Sequence, residues 1–197
     1  MRIVLGSSSK WRREIAQQAL ETSVELRVAN IDEKAVVRGS QVSSFLDHPA
    51  VIARAKIQHL MKEEFQGPTL MLCFDTIVVF DSKVMEKPES ESEMYEMVGK
   101  WLKAGNQVIV HTAVSVGLNS PSKILESVET ASITITRDPT ENELNEYLHK
   151  KDCIYSSGAV VVEYLIEMGL ATIDGDISII QGFPIEKVKQ FIKELSI

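Results

Sequence analysis

The chain has 197 residues, a net charge of −7, 44% apolar and 25% charged residues, which suits one soluble domain or at most two small ones. That composition excludes a disordered chain, and the acidity argues against a protein that coats DNA or RNA, since phosphate binding needs a basic surface. No apolar run reaches the ~18 residues of a membrane span, and the apolar start at Ile3-Val4-Leu5 is too short for a signal peptide.

Element types alternate along the chain. Arg2–Leu5 reads as a short strand ended by Gly6-Ser7-Ser8-Ser9, and Lys10–Leu20 as a helix with Ile15, Ala19 and Leu20 on one side. Residues 24–28 alternate as a second strand, and Asn30-Ile31-Asp32-Glu33 reads as an acidic loop. Residues 44–64 carry apolar side chains at helical spacing, with Pro49 marking a start or a kink. Thr69–Phe80 is an apolar, β-branched strand holding one charge, Asp75; a turn at Asp81-Ser82 leads to a partner strand, Lys83–Met85.

Residues 90–101 read as a helix capped by Ser90 or Ser92 and stopped at Gly105-Asn106. Residues 107–118 and 122–136 read as strands joined around Asn119-Ser120-Pro121. Thr140 and Glu143 form a capping-box signature for a helix over 140–149. Residues 157–163 read as a strand or buried turn, 176–181 as a short strand or loop, and 185–195 as a closing helix. The pattern predicts a mixed α/β single domain spanning residues 1–197. Cys73 and Cys153 read as reduced, packed thiols of a cytoplasmic protein, without zinc-ligand spacing.

Three features can carry chemistry. Gly6-Ser7-Ser8-Ser9-Lys10-Trp11-Arg12-Arg13 lies between a strand and a helix, where free N–H groups and the helix dipole favour an anion. The bland alternative is a serine cap with solvated arginines. Asp75 is a lone charge in an apolar strand, which needs a partner, a metal or the strand's mouth. Glu33, Lys56 and Lys87 are each unremarkable as surface charges; together with Asp75 they suit a metal-bound polyphosphate.

In order along the chain, these residues resemble the Maf (septum-formation) family. The likeness runs through Ile3-Val4-Leu5-Gly6-Ser7-Ser8-Ser9-Lys10-Trp11-Arg12-Arg13, Asn30-Ile31-Asp32-Glu33, Ile52-Ala53-Arg54-Ala55-Lys56, Phe74-Asp75-Thr76-Ile77-Val78-Val79 and Met85-Glu86-Lys87-Pro88. It continues through Glu129-Thr130-Ala131-Ser132-Ile133-Thr134, Gly175-Asp176 and Gly182-Phe183-Pro184. The resemblance implies a two-lobed α/β fold around a mixed sheet with a cleft between the lobes, similar to inosine-triphosphate pyrophosphatases. It also implies a homodimeric, cytoplasmic nucleoside triphosphate pyrophosphatase that uses a divalent metal (magnesium, manganese or cobalt) and has no nucleic-acid polymer or membrane as partner.

Carried over by position, Ser7, Ser8, Ser9 and Arg12 would hold phosphate. Glu33 and Asp75 would bind metal or orient water, with Asp75 the proton acceptor, and Lys56 and Lys87 would offset phosphate charge. Thr76 follows the aspartate as in one branch. Tyr155 and Ser156 depart from the family's Asp and Lys, and Glu163 from its Gln, as in a divergent eukaryotic branch. A carboxylate at 163 repels a triphosphate unless it meets metal or a base edge. These departures motivate a second reading, a nucleotide-binding regulatory module without catalysis. Trp11 reads either as a packing residue or as a stacking surface for a base; it and Thr76 resemble branches with different bases, so no base is chosen.

Overall fold

A computed structural model describes residues 1–150 and 152–195. In chain order the elements are β1 (Arg2–Leu5), α1 (Lys10–Leu20), β2 (Glu25–Leu26), α2 (Glu33–Gly39), a 3-10 turn (Phe45–Asp47), α3 (His48–Leu60), β3 (Thr69–Phe80), β4 (Lys83–Met85) and α4 (Glu91–Trp101). They continue with β5 (Gln107–Asn119), β6 (Ser122–Ile135), α5 (Glu141–Leu148), 3-10 turns at Cys153–Tyr155 and Ser157–Ala159, α6 (Val162–Glu167), β7 (Ala171–Asp174), α7 (Ile177–Ile180) and α8 (Ile185–Glu194). Among the described residues the strands form one mixed sheet in the order β2-β1-β3-β5-β6-β7, with β4 on β3. β1 runs parallel to β2 and β3, whereas β3–β4 and β6–β7 are antiparallel. No helix of the described residues is long and apolar enough to cross a membrane.

The chain divides into two compact units, Met1–Thr76 with Thr112–Glu129 and Gln181–Ile197, and Ile77–His111 with Thr130–Ile180. In the first, strand periodicity sorts the core into two faces. Ile3, Leu5, Leu70, Leu72 and Phe74 pack with Ala16 of α1 and with Val188 and Phe191 of α8. The alternate residues Val4, Met71 and Cys73 pack with Ile57 and Leu60 of α3. β3 is therefore covered on both faces, which is why its sequence is an almost unbroken apolar run.

The second unit is built around Trp101 and Tyr147, both fully buried, with ring centroids 5.9 Å apart in an edge-on arrangement. Val108, Val110, Ile133, Ile135, Val162 and Leu165 complete that core.

Several expectations are corrected. The acidic loop ends in a helix: Asp32 caps α2 by accepting the Ala35 N–H at 2.9 Å, and Glu33 is its first residue. The strand over 24–28 shrinks to Glu25–Leu26. The helix over 44–64 is α3 alone, preceded by a 3-10 turn; Pro49 sits in its first turn, where a missing N–H costs nothing. Residues 157–163 form a 3-10 turn leading into α6, and 176–181 hold the short helix α7. The capping box at Thr140 and Glu143 is present, and both cysteines are buried free thiols.

Candidate functional site

The parallel register places the chemistry. Leu5, the last residue of β1, pairs with Leu72, so Phe74-Asp75-Thr76 extend past the carboxyl end of β1, where residues 6–9 begin. Crevices beyond the carboxyl ends of parallel strands are where α/β sheets bind ligands. Gly6 is needed at this exit: its N–H donates to the Leu72 carbonyl at 2.8 Å, and a Cβ there would stand 2.5 Å from Cys73 Sγ.

The loop closes on its own hydroxyls. Ser7 Oγ accepts the Ser9 N–H at 3.2 Å, and Ser9 caps α1 by accepting the Arg12 N–H at 3.3 Å. Ser8 is exposed. The first N–H groups of α1, those of Lys10 and Trp11, have no intrahelical acceptor and are available to an anion. Trp11 is 49% exposed, leaving about half of its ring face and edge open to a ligand.

Arg12 turns off α1 onto the even-numbered face of β3. Its Nε donates to the Gly182 carbonyl at 2.9 Å, Nη2 to Thr76 Oγ1 at 2.8 Å and Nη1 to Ser7 Oγ at 3.5 Å, and its carbon lies 5.8 Å from the Phe74 ring centre. Three of the guanidinium's five donors are so used. Burial draws Arg12 below its ordinary pKa, while Asp75 and Glu33 oppose the shift. Gly182 is left-handed (φ +79°), and a Cβ there would stand 2.9 Å from Arg12 Nη2. Thr76 Oγ1 also meets Thr112 Oγ1 at 3.0 Å.

Lys56 approaches the other face of β3 from α3. Its Nζ donates to Asp75 Oδ1 at 3.0 Å, to the Phe74 carbonyl at 3.3 Å and to Glu33 Oε1 at 2.8 Å. Asp75 is mostly buried, and burial raises its pKa above the ordinary 3.8, against the pull of Lys56 and Arg12.

The structure thus brings Ser7, Ser9, Arg12, Glu33, Lys56, Asp75 and Thr76 together within the first unit. Lys87, exposed after β4, and Glu163, on α6, belong to the second. Gly182 and Thr112 were missed as contributors to the site: Gly182 acts through its carbonyl, and Thr112 reads as one more strand residue.

Among the described residues, no group of three or more His, Cys, Asp and Glu is placed to hold a metal ion. Two carboxylates sharing one ammonium are instead a donor set that fits a hard cation bound jointly with phosphate oxygens and water, the way magnesium is usually held.

Known proteins resemble the chain over nearly its whole length. A dTTP/UTP pyrophosphatase of Lachnoclostridium phytofermentans is 28% identical over 99% of this chain and 95% of its own length. A 7-methyl-GTP pyrophosphatase of Dictyostelium discoideum is 26% identical over 98% of this chain and 97% of its own. Among solved structures, a HAM1 protein from Coxiella burnetii aligns with 98% of this chain and 99% of its own at 14% identity and a TM-score of 0.43. The family model for Maf-like proteins matches residues 2–195, nearly the whole length, and on that match the chain belongs to the Maf family.

Proposed function

We propose that this chain hydrolyses a nucleoside triphosphate to the monophosphate and pyrophosphate. The observation that carries the reading is the approach of two cations to one stretch of β3 from opposite faces. Arg12 reaches Thr76 and Lys56 reaches Asp75, beside the free N–H groups that open α1. Relatives with this activity match the chain end to end.

In this mechanism the α1 N-terminus and Arg12 hold the phosphates. Glu33 and Asp75 would hold a divalent cation (magnesium, manganese or cobalt). That cation, when bound, neutralises phosphate charge and acidifies water. Asp75 takes the proton of the attacking water; its burial makes it a better proton acceptor than an exposed aspartate. The water oxygen bonds to phosphorus as the bond to the departing pyrophosphate breaks, and pyrophosphate keeps the electron pair. Lys56 and Lys87 offset the charge that accumulates, so catalysis is mostly positioning and electrostatics. Trp11 offers its exposed ring to the base. Glu163 is assigned to a base edge or the cation, because a carboxylate repels phosphate.

The experiment is pyrophosphate release from a panel of ordinary and modified nucleoside triphosphates with each metal. Wild type is expected to turn over at least one of them, and Asp75→Asn to lose about 100- to 10,000-fold. Folded wild type that binds nucleotides but releases nothing would instead support the regulatory-module reading.

A further inference from the structure

The second unit contains a strained turn that the reaction scheme leaves unused. Gly158 (φ +63°) and Ala159 (φ +57°) are consecutive left-handed residues, and alanine adopts that conformation only when its surroundings impose it. Both are buried, and two fully buried aromatic side chains hold them. Trp101 Nε1 donates to the Gly158 carbonyl at 2.9 Å. Tyr147 Oη donates to the Ala159 carbonyl at 2.8 Å and accepts the Val161 N–H at 2.9 Å. Tyr147 thus uses its phenol in both directions on backbone groups, with the Cys153 thiol also interacting with it and its ring edge-on to Trp101.

The turn in turn holds a second loop. The Gly158 N–H donates to the Glu86 carbonyl at 2.8 Å. That carbonyl shares a rigid peptide plane with the nitrogen and Cα of Lys87. On the other side of Lys87 stands buried Pro88, which restricts the preceding residue to extended backbone. The root of the Lys87 side chain is therefore fixed from both directions while its ammonium stays exposed. Gly158 also seats closely on β4: a Cβ there would lie 2.7 Å from Met85 Cε.

We propose that Tyr147, assisted by Trp101, is a positioning residue for Lys87, acting through the Gly158 N–H and the Glu86 carbonyl. The inference rests on the reading of Lys87 as a group that offsets phosphate charge.

The test is a double-mutant cycle with an exchange measurement beside it. Tyr147→Phe keeps the ring and deletes both hydrogen bonds. It is expected to lower kcat about tenfold with little change in KM, and to cause no further fall in a Lys87→Met background. Amide exchange at Gly158, read on the unliganded protein, is expected to quicken in Tyr147→Phe. An equal loss of turnover in both backgrounds, or unchanged exchange at Gly158, overturns the proposal. If Lys87→Met matches wild type, the role of Lys87 falls and the proposal with it. If only Tyr147→Phe is silent, the proposal falls alone. Should Tyr147→Phe not fold, Trp101→Phe goes through the same cycle, since of the turn's hydrogen bonds it removes only the one to the Gly158 carbonyl, although it also empties part of the indole's space.

Discussion

Lys56 Nζ lies 3.0 Å from Asp75 Oδ1 and 2.8 Å from Glu33 Oε1, so one ammonium serves two carboxylates from different elements. The buried partner is held above its ordinary pKa of 3.8, with burial the largest cause and Lys56 the strongest opposing charge. Removing that charge raises Asp75 further. The acid limb of the kcat/KM profile is therefore expected above pH 3.8 in the wild type and higher still in Lys56→Met. An acid limb that moves down, or stays in place, would take Asp75 out of the proton-accepting role.

The same shift has a stability consequence of definite sign. A carboxyl whose pKa is raised by folding favours the folded state fully below pH 3.8, and that contribution is lost as pH rises through the raised value. Ionised Asp75 is thus a cost at neutral pH, borne for function. Asp75→Asn is expected to melt no lower than wild type at pH 7 while losing turnover; a melting point several degrees lower would contradict this.

Thr76 is the side chain that receives Arg12 Nη2, at 2.8 Å. Thr76→Val keeps the branched shape and deletes the acceptor, leaving a partly buried donor unpaired at a cost of about 1–2 kcal/mol. Nucleotide affinity is expected to fall about tenfold by calorimetry with the Asp75→Asn protein as host, so that substrate survives the measurement.

Gly182 carries both a left-handed backbone and the carbonyl that accepts Arg12 Nε. In Gly182→Ala the new methyl meets the guanidinium, and backbone strain of about 1–3 kcal/mol is added. KM is expected to rise more than tenfold with a modest fall in melting temperature. A variant with unchanged KM would mean that Arg12 does not touch the substrate.

Far from this site, Arg137 and the Thr140 cap hold Glu143 down to a pKa of about 2, from an ordinary 4.5. A carboxylate depressed by folding stabilises above its ordinary value and loses that contribution as pH falls toward about 2. Glu143→Gln is expected to flatten the decline of melting temperature between pH 4.5 and 2 and to leave turnover untouched.

Strand β3 and the turn after β1 were legible because their physical causes are local: an apolar run with one charge, and small hydroxylated residues between a strand and a helix. Helix α2 was not, because its seven residues bury no side chain, so no apolar stripe exists to be read. Residues 160–162 are consecutive valines and suggest a strand, yet Val162 begins α6, where burial of Val162 and Leu165 overrides β-branched preference. Asp75 declared itself, since a charge in an apolar context needs a reason, whereas Glu33, Lys56 and Lys87 gained meaning only in combination with it. The Gly182 carbonyl could not, because every residue has one and only the folded chain shows which is used.

Arg12 and Gly182 are separated by 170 positions. While the polypeptide is being made, its anion-binding loop leaves the ribosome well over a hundred residues before the last clamp on the guanidinium does. Until Gly182 has been added, the loop exists without that clamp on its arginine.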